Sequence, residues 1–533
     1  MSWNDSRPRH DAWVGVDPSI GRYVASLEIE IGRFESRQQE LRLDHREEIA
    51  RLQKQLAEKD REIGRLSQAL ALARERLNTT SRNSSTPPSV DPPSAPRREP
   101  GRPKRRGRGG QLGHEFHPRE LYPVEQCASV TDHKVEVCRC CGVRLCGEDP
   151  DPIRHQIVEM PPIVPIVEEH RLHAIRCAGC GAMNRACLPS DVTSTGFGPG
   201  VEGTVATLVA ECRLSHRLVV AVMRDLCGVR IGLGTVSNLL RRVSASTARA
   251  VEEAHGYVRA FEGAKHVDET GWKHHGSDGT NDKGSSAWLW VVGTEKVTVF
   301  KATLSRAQSV AKELLGETPR GTLVSDRYLV YQYARPETRQ VCWSHLERDF
   351  RRISERDGPS ARLGWKLLRV AQAVFKLQKK WLMGRLEQEK YEYTMGRHRM
   401  HLQELLRQGA SMDTRRSEQS PTSKTKGTCR ELQAIEPAMW TFARTSGVDL
   451  TNNFAERQLR HAVMLRKISS GSQSADGMQW MSRLLTVVMT TRSQGRNPHE
   501  FFVESARAAR VKAPPPSLLP ANPAREPATP AAA

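Results

Sequence analysis

Residues 287–326 read AWLWVVGTEKVTVFKATLSRAQSVAKELLGETPRGTLVSD, and this stretch decides the fold. Its first half holds two runs of β-branched and aromatic residues, Ala287–Gly293 and Val297–Ala302, which predict two strands. Apolar residues at helical spacing then predict a helix over Arg306–Leu315. The short run Thr322–Ser325 predicts one more strand. Two strands, a helix and a strand in this order indicate a mixed sheet with helices packed beside it.

Two more predicted strands flank the stretch, His266–Thr270 before it and Gln340–Trp343 after it. The first three strands form a meander, and the helix then leads into the fourth strand and on to the fifth. This is the ribonuclease-H-like order, in which the first and fourth strands are neighbours in the sheet. It places Asp268, on the first strand, beside Asp326, at the end of the fourth. The sequence therefore predicts a multidomain α+β protein with a ribonuclease-H-like mixed α/β core.

Three acidic residues lie in three different local settings. Asp268 is in His-Val-Asp-Glu-Thr-Gly-Trp, Asp326 is in Val-Ser-Asp-Arg-Tyr, and Glu456 lies on an amphipathic helix in Asn-Asn-Phe-Ala-Glu-Arg-Gln-Leu-Arg. Hard cations prefer oxygen ligands. Two such ions can clamp the attacking and leaving oxygens of a phosphodiester. The three carboxylates are therefore candidate catalytic acids and ligands of Mg²⁺ or Mn²⁺.

Each acid also has a purely structural explanation. Glu269 follows Asp268 directly, and because side chains alternate along a strand, only one of the two faces the site. Asp326 suits a turn after a strand. Glu456 suits an exposed helix face, where Arg460 at i,i+4 would pair with it. The catalytic interpretation rests on the three acids occurring together, in this order and on these elements.

The composition favours a polyanionic partner. The chain has 533 residues and a formal net charge of +20, and basic proteins of this kind usually bind nucleic acid. No apolar run approaches the roughly 18 residues of a membrane span, and the N-terminus lacks the apolar segment of a signal peptide. We therefore expect a cytoplasmic protein. Its twelve cysteines should then bind metal or be buried rather than form disulfides.

The N-terminal part divides into a helix and a linker. Residues 25–77 show a heptad repeat that predicts a coiled coil and a homo-oligomer, the alternative being a single solvated helix. Residues 78–120 are rich in Ser, Thr and Pro and then in basic residues, which predicts a disordered linker. The linker either reads a narrow minor groove or contacts phosphates without sequence preference. Its candidate DNA-binding residues are Arg102, Lys104, Arg105, Arg106 and Arg108.

Two Cys-x-x-Cys-Gly motifs, at residues 138–142 and 177–181, predict a structural Zn²⁺ site. Four thiolates suit tetrahedral Zn²⁺, and each glycine lets the backbone turn around the sulfurs. A β-like run between them, Ile157–Glu169, predicts a supporting ribbon. Buried free cysteines are the alternative. The candidate zinc ligands are Cys138, Cys141, Cys177 and Cys180.

Further basic candidates lie on predicted helices. Ser215–Cys227 and Val236–Val243, separated by a glycine-containing break, fit either a helix-turn-helix or a helical hairpin that packs internally. After the core, two helices are predicted, followed by a polar break at Met412–Thr428. The candidate DNA-binding residues on helices are Arg241, Arg242, Arg457 and Arg460. Arg457 and Arg460 suit phosphates or nearby acids equally well.

The predicted domains are a coiled coil (25–77), a disordered basic linker (78–120), a zinc-binding module (121–190), a helical, helix-turn-helix-like DNA-binding region (196–255), the first part of the catalytic core (260–350), a helical insertion (351–445), the second part of the core with the Glu456 helix (446–511) and a disordered tail (512–533).

Four motifs together carry a family resemblance: His-Val-Asp-Glu-Thr-Gly-Trp, Ser-Asp-Arg-Tyr, Val-Cys-Trp-Ser-His-Leu-Glu-Arg-Asp-Phe and Asn-Asn-Phe-Ala-Glu-Arg-Gln-Leu-Arg. The chain resembles the DDE transposases of the insertion sequence sixty-six family from about residue 25 to about residue 505. The resemblance implies that Asp268, Asp326 and Glu456 are the catalytic acids and that Mg²⁺ is their ion. The chain departs from the family pattern at Arg327, where Gly is common, and at Thr451, where an acid is common.

The resemblance also implies the substrate and partners. These are double-stranded DNA, as terminal inverted repeats and as target, and small companion proteins of the same element. The predicted function is Mg²⁺-dependent DNA strand cleavage and strand transfer. The alternative is a sequence-specific DNA-binding regulator without catalysis, which would bind DNA whether or not Mg²⁺ is present. A nuclease that only cuts and a structural scaffold are further alternatives.

Overall fold

The computed structural model describes residues 15, 17–84, 91, 119–189, 192, 195–281, 284, 286–414 and 420–520. The predicted linker residues Arg102, Lys104, Arg105, Arg106 and Arg108 lie outside the described residues, as does most of the predicted tail. Among the described residues, no helix combines the length and apolar character needed to cross a membrane. The chain divides into two compact units, one formed by Met1–Asp91, Phe350–Arg369 and Leu402–Gln433 and the other by Pro92–Asp349, Val370–His401 and Ala434–Ala533.

In chain order the elements are α1 (Pro18–Leu77), β1 (Ala174–Arg176), β2 (Met183–Arg185), α2 (Pro199–Ala210), α3 (His216–Asp225), α4 (Leu233–Ser246), α5 (Ala248–Ala260), β3 (Ala264–Trp272), β4 (Ala287–Gly293), β5 (Thr298–Thr303), α6 (Gln308–Leu315), β6 (Thr322–Ser325), β7 (Arg339–Val341), α7 (Trp343–Ser354), α8 (Pro359–Leu382), α9 (Gln388–Ala410), α10 (Pro421–Ala434), α11 (Thr441–Arg444), α12 (Asn453–Ser469), α13 (Ala475–Ser493) and α14 (Pro498–Arg510).

The second unit is built on a mixed five-stranded sheet in the order β5-β4-β3-β6-β7. β3, β4 and β5 are antiparallel neighbours, whereas β6 and β7 run parallel to β3. The predicted strand order is confirmed, and with it a mixed α/β core consistent with a ribonuclease-H-like domain. The pairing of β3 with β6 ends at His266 and Val324. Asp268 lies two residues beyond that last pair, still on β3, and Asp326 lies two residues beyond it, directly after β6 ends at Ser325.

Side-chain alternation along β4 separates two hydrophobic clusters on the two faces of the sheet. Trp290 and Val292 pack into the cluster that includes residues of helices α2 to α6. Leu289 and Val291 pack on the other face with residues of α12 such as Leu459. Because Asp268 pairs directly with Val291, its side chain lies on the face that α12 covers. The fold thereby directs Asp268 toward the helix that carries Glu456.

Helix α13 covers the exposed edge of the sheet with a row of hydroxyl groups. Ser482, Thr486 and Thr490 are spaced four residues apart and so lie on one face of the helix. Their oxygens accept the backbone N–H groups of Ala302 (3.0 Å), Phe300 (2.9 Å) and Thr298 (3.0 Å) in β5. These bonds satisfy backbone N–H groups of the edge strand β5, which could otherwise pair with a strand of another chain.

The first unit contains the long N-terminal helix α1. No residue of α1 is buried, and the apolar residues of its heptad repeat are exposed. Near its end, Glu75 pairs with Arg356 (3.0 Å) and with Lys424, both in the same unit. The predicted long helix is confirmed, and it starts at Pro18 rather than at residue 25. The predicted polar break at Met412–Thr428 is partly wrong, because α10 begins at Pro421.

The region with the two cysteine motifs has little regular structure. β1 and β2 form a short antiparallel hairpin around the second motif. The ribbon predicted at Ile157–Glu169 is wrong, since these residues form no strand in the described chain. Its apolar residues, among them Ile166 at 94% exposure, have no core to pack against. Pro161, Pro162 and Pro165 interrupt this run, and proline has no backbone N–H to donate to a neighbouring strand.

Candidate active site

Asp268 lies at the centre of β3, half-buried beneath α12. Its Oδ1 accepts the backbone N–H of Glu269 (2.9 Å). Burial, followed by the carboxylates of Glu269 and Asp326, raises the pKa of Asp268 to about 8, while His345 acts in the opposite direction. A carboxyl group whose pKa is raised by burial and by neighbouring carboxylates is typical of functional sites.

The neighbouring Glu269 points to the opposite face of the sheet, as strand alternation requires. Its Oε1 accepts from the guanidinium of Arg306, at 3.0 Å from Nε and 2.6 Å from Nη2. Its Oε2 accepts from the hydroxyl of Tyr331. The Arg306 guanidinium also stacks on the ring of Tyr328, 3.9 Å from the centroid. Glu269 is thus paired and buried, which leaves Asp268 as the acid on the α12 face.

Asp326 follows the last residue of β6 and starts a turn. Its Oδ1 accepts the backbone N–H of Tyr328 (2.9 Å), the turn that the sequence offered as an alternative. The Asp326 backbone carbonyl accepts from Nη2 of Arg339 (2.6 Å), a fully buried residue of β7. Nε of Arg339 also donates to the Ser325 hydroxyl (3.1 Å). Asp326 therefore forms a turn and also lies near Asp268. Arg339 fixes the backbone that carries Asp326.

Glu456 lies in the first turn of α12, next to two basic residues of α7. Its Oε1 is 4.0 Å from Nδ1 of His345 and 3.8 Å from Nη2 of Arg348. Nη1 of Arg348 lies 3.3 Å from Nε2 of His345. Burial lowers the pKa of His345, but Cys342 and the charge of Asp326 outweigh it and raise the pKa to about 9. Nδ1 of His345 is buried and has no hydrogen-bond partner in the described residues. The pairing of Glu456 is therefore with α7 rather than with a solvated neighbour on its own helix.

The fold brings Asp268 and Asp326 together and places Glu456 over the same face of the sheet. No three His, Cys, Asp or Glu side chains converge on a single metal-binding point within the described chain. The donor set nevertheless suits a hard divalent cation, since it consists of carboxylate oxygens. Burial is the largest cause of the raised pKa of Asp268, and the carboxylates of Glu269 and Asp326 add to it. A bound cation would offset the effect of those two carboxylates.

The two cysteine motifs form matching turns. Backbone N–H groups of Cys141 and then Cys140 lower the pKa of Cys138, and those of Cys180 and Gly179 do the same for Cys177. The glycine that follows each motif has a positive φ, 73° at residue 142 and 75° at residue 181. Within the described residues the four cysteines do not form one metal-binding group. Each motif forms a turn that suits a pair of metal ligands. The four-cysteine zinc site stays a prediction.

The four basic candidates on helices differ in their surroundings. Arg241 is exposed and pairs with Asp476 (3.1 Å). Arg242 pairs with the buried Glu202, which favours a structural role for it. Arg457 and Arg460 are exposed on α12, one and four residues after Glu456. Only the last two therefore lie beside a candidate catalytic acid.

Sequence reasoning did not assign roles to several residues that shape this site. Arg339 has no local signal, because a basic residue in a short strand reads as surface. In the sequence, Asn452 stands out only as part of a motif, and Glu269 only as an alternative to Asp268. The unusual Arg327 pairs with Asp349 of α7 (2.6 Å). Buried partners such as these become visible only once the strands are paired.

A mixed five-stranded sheet with one acid on its central strand, a second directly after the neighbouring strand and a third on a following helix fits the ribonuclease-H-like class of fold. Comparison with known protein families agrees with this fold class. A family model described as "Transposase IS66 family" matches residues 206–480, just over half of the chain. The chain belongs to this family of DDE-type transposases, which implies DNA transposition and a divalent metal cofactor. The comparison with curated proteins gave no match.

Proposed function

We propose that this protein is the transposase of a bacterial insertion sequence, which binds the terminal inverted repeats of its element and catalyses strand cleavage and strand transfer. The observation that carries the proposal is the placement of Asp268, on β3, beside Asp326, directly after β6, under the helix of Glu456. A protein that only binds DNA has no need for carboxylates held against one another at a free-energy cost.

Asp268, Asp326 and Glu456 are the proposed ligands of Mg²⁺ or Mn²⁺. When bound, such ions make a water or a 3′-hydroxyl nucleophilic and stabilise the charge on the phosphodiester. The chain's own residues do the positioning. Arg339 holds the carbonyl of Asp326 (2.6 Å), and Arg348 and His345 orient Glu456 from α7. Water attacks the phosphorus, the strand leaves with a 3′-hydroxyl, and that hydroxyl then attacks a target phosphodiester.

The proposed DNA contacts begin at the candidate site. Arg457 and Arg460 lie on the exposed side of α12 and would hold phosphates close to Glu456. Arg241 and the basic linker would extend this surface, with α3 and α4 as a helix-turn-helix-like element. The exposed heptad face of α1 suits a coiled coil with a second copy. Cys138, Cys141, Cys177 and Cys180 would bind structural Zn²⁺, and companion proteins of the element would act alongside.

The test measures DNA binding and strand transfer separately, with DNA that carries the element's own ends. Asp268→Asn, Asp326→Asn and Glu456→Gln should each abolish cleavage and transfer in Mg²⁺ or Mn²⁺ and leave DNA affinity within a few-fold. Glu269→Gln is the matched control, because it removes the adjacent acid from the opposite face of β3. Wild-type strand transfer by Asp268→Asn would refute the assignment.

The second candidate function, a DNA-binding regulator, makes the opposite prediction. It requires the exposed basic residues but not the acids, so DNA binding would be unchanged by Mg²⁺ and no strand would be cut. The raised pKa of Asp268, caused by burial and neighbouring carboxylates, is unexplained in that case. The same two assays, run with and without Mg²⁺, separate the two functions.

A further inference from the structure

The start of α12 is joined to the sheet by one buried asparagine. Asn452 precedes the helix and is fully buried, whereas the next residue, Asn453, is exposed. The Asn452 side chain donates from Nδ2 to the backbone carbonyl of Val267 (2.7 Å). Its Oδ1 accepts from Nδ1 of His266 (3.2 Å). Both partners belong to β3, and Val267 is the residue directly before Asp268.

The backbone of Asn452 connects the same point to two further elements. Its N–H donates to Sγ of Cys342 (3.1 Å), which lies between β7 and α7 and three residues before His345. Its carbonyl accepts the N–H of Glu456 (3.2 Å), one helical turn further on. Four contacts of one residue thus link the strand of Asp268, the start of α7 and the helix of Glu456.

Packing around this point leaves little freedom. The ring of Phe454 lies against His266, with 5.2 Å between the ring centroids. A Cβ on Gly293 would come within 2.4 Å of Cε1 of Phe454, so a glycine is required there. The first turn of α12 therefore packs closely against β3 and β4, and the Asn452 amide supplies polar contacts with β3.

We propose that Asn452 is a positioning residue that fixes Glu456 relative to Asp268, by joining the start of α12 to the backbone next to Asp268 and to Cys342. This inference rests on the proposed function, because it matters only if Glu456 and Asp268 act together. The position requires an amide, since one end must donate to Val267 and the other must accept from His266. Aspartate keeps the acceptor and loses the donor, and leucine keeps the shape and loses both.

The adjacent asparagine provides a matched control. Asn452→Asp and Asn452→Leu are compared with Asn453→Asp and Asn453→Leu in the full-length chain. The readouts are Mn²⁺ affinity by electron paramagnetic resonance, DNA affinity, and the kcat and KM of strand transfer per folded molecule. Partners that hold metal ligands in place typically contribute about 10- to 100-fold to metal affinity or activity. We expect losses of that size in Mn²⁺ affinity and kcat for the Asn452 variants, with unchanged KM and DNA affinity, and no loss for the Asn453 variants.

A merely structural role gives a different result. The Asn452 variants would then fold less well, but the folded fraction would bind Mn²⁺ and turn over as the wild type does, which would overturn the proposal. If neither Asn452 variant folds, His266→Phe decides, because it removes the hydrogen bond to Asn452, together with the 3.6 Å contact of Nε2 with Asp449, and keeps a ring against Phe454. Reduced Mn²⁺ affinity in His266→Phe supports the proposal, and wild-type affinity and turnover overturn it.

The Glu456→Gln variant distinguishes a failure of the proposed positioning role from a failure of the proposed catalytic function. If Glu456→Gln transfers strands normally, the catalytic assignment of Glu456 is wrong and the inference falls with it. If Glu456→Gln is inactive while the Asn452 variants match the Asn453 variants, only the positioning role is wrong.

Discussion

Replacement of Asp268 by asparagine should stabilise the metal-free protein while it removes activity. Burial and the carboxylates of Glu269 and Asp326 raise the pKa of Asp268 from 3.8 to about 8. The folded protein therefore binds a proton that the unfolded chain releases between these two pH values. Asparagine keeps the shape of the side chain and the acceptor for the N–H of Glu269 without any charge.

The magnitude follows from the shift in pKa. Stability relative to the asparagine variant is unaffected below pH 3.8, falls as the pH rises, and levels off above about pH 8. Each pH unit above 3.8 contributes about 1.4 kcal/mol, so the difference at pH 7 reaches about 4 kcal/mol at most. Mg²⁺ at a hundred times its dissociation constant should stabilise the wild type by about 2.7 kcal/mol. This would offset part of its lower stability relative to Asp268→Asn.

Urea unfolding in EDTA at pH 4, 7 and 8.5 measures the difference directly, and a repeat in Mg²⁺ tests the metal. Asp278→Asn is a control with the opposite sign. Hydrogen bonds from Thr280 and from the N–H of Ala475 lower the pKa of Asp278 to about 2, so its contribution is present above pH 3.8 and lost as the pH falls through 2. Equal stability of wild type and Asp268→Asn at every pH, or equal stabilisation of both by Mg²⁺, would refute the reasoning.

Three further predictions test other parts of the structure. Thr486→Val leaves the buried N–H of Phe300 without its acceptor and should destabilise the protein by about 1–3 kcal/mol in urea unfolding, so an unchanged midpoint would contradict the edge-capping role of α13. Burial lowers the pKa of His255 to about 4, so stability present above pH 6.5 should be lost as the pH falls toward 4, and a His255→Gln variant whose unfolding midpoint varies with pH as the wild type's does would contradict this. Cys138→Ser and Cys177→Ser should each release bound Zn²⁺ in metal analysis, and retention of one equivalent in both would exclude a shared site.

The sequence predicted most of what local patterns control. The bounds of β4 and β6 agree with the predicted Ala287–Gly293 and Thr322–Ser325, because buried β-branched runs end sharply at turn residues. The adjacency of the Asp268 and Asp326 strands also followed from element order. The role of Arg339 did not, because burial of a charged residue depends on which backbone oxygen a neighbouring strand presents. The distance between the two cysteine motifs also could not be predicted, because the residue spacing within a motif determines only the turn that this motif forms.

The electrostatics at this end of the sheet favour a cation over a purely structural role for Asp268. Buried ionisable groups normally lie with a partner of opposite charge or with a hydrogen-bonding group. Glu269 has Arg306 and Tyr331, and the buried Arg339 has the carbonyl of Asp326, whose carboxylate raises the pKa of Arg339 against the dominant lowering by burial. For Asp268 the strongest charged neighbours are instead two carboxylates. A fold that needed only the shape of this side chain would be more stable with asparagine there, so we propose that the acid is present because a divalent cation binds to it.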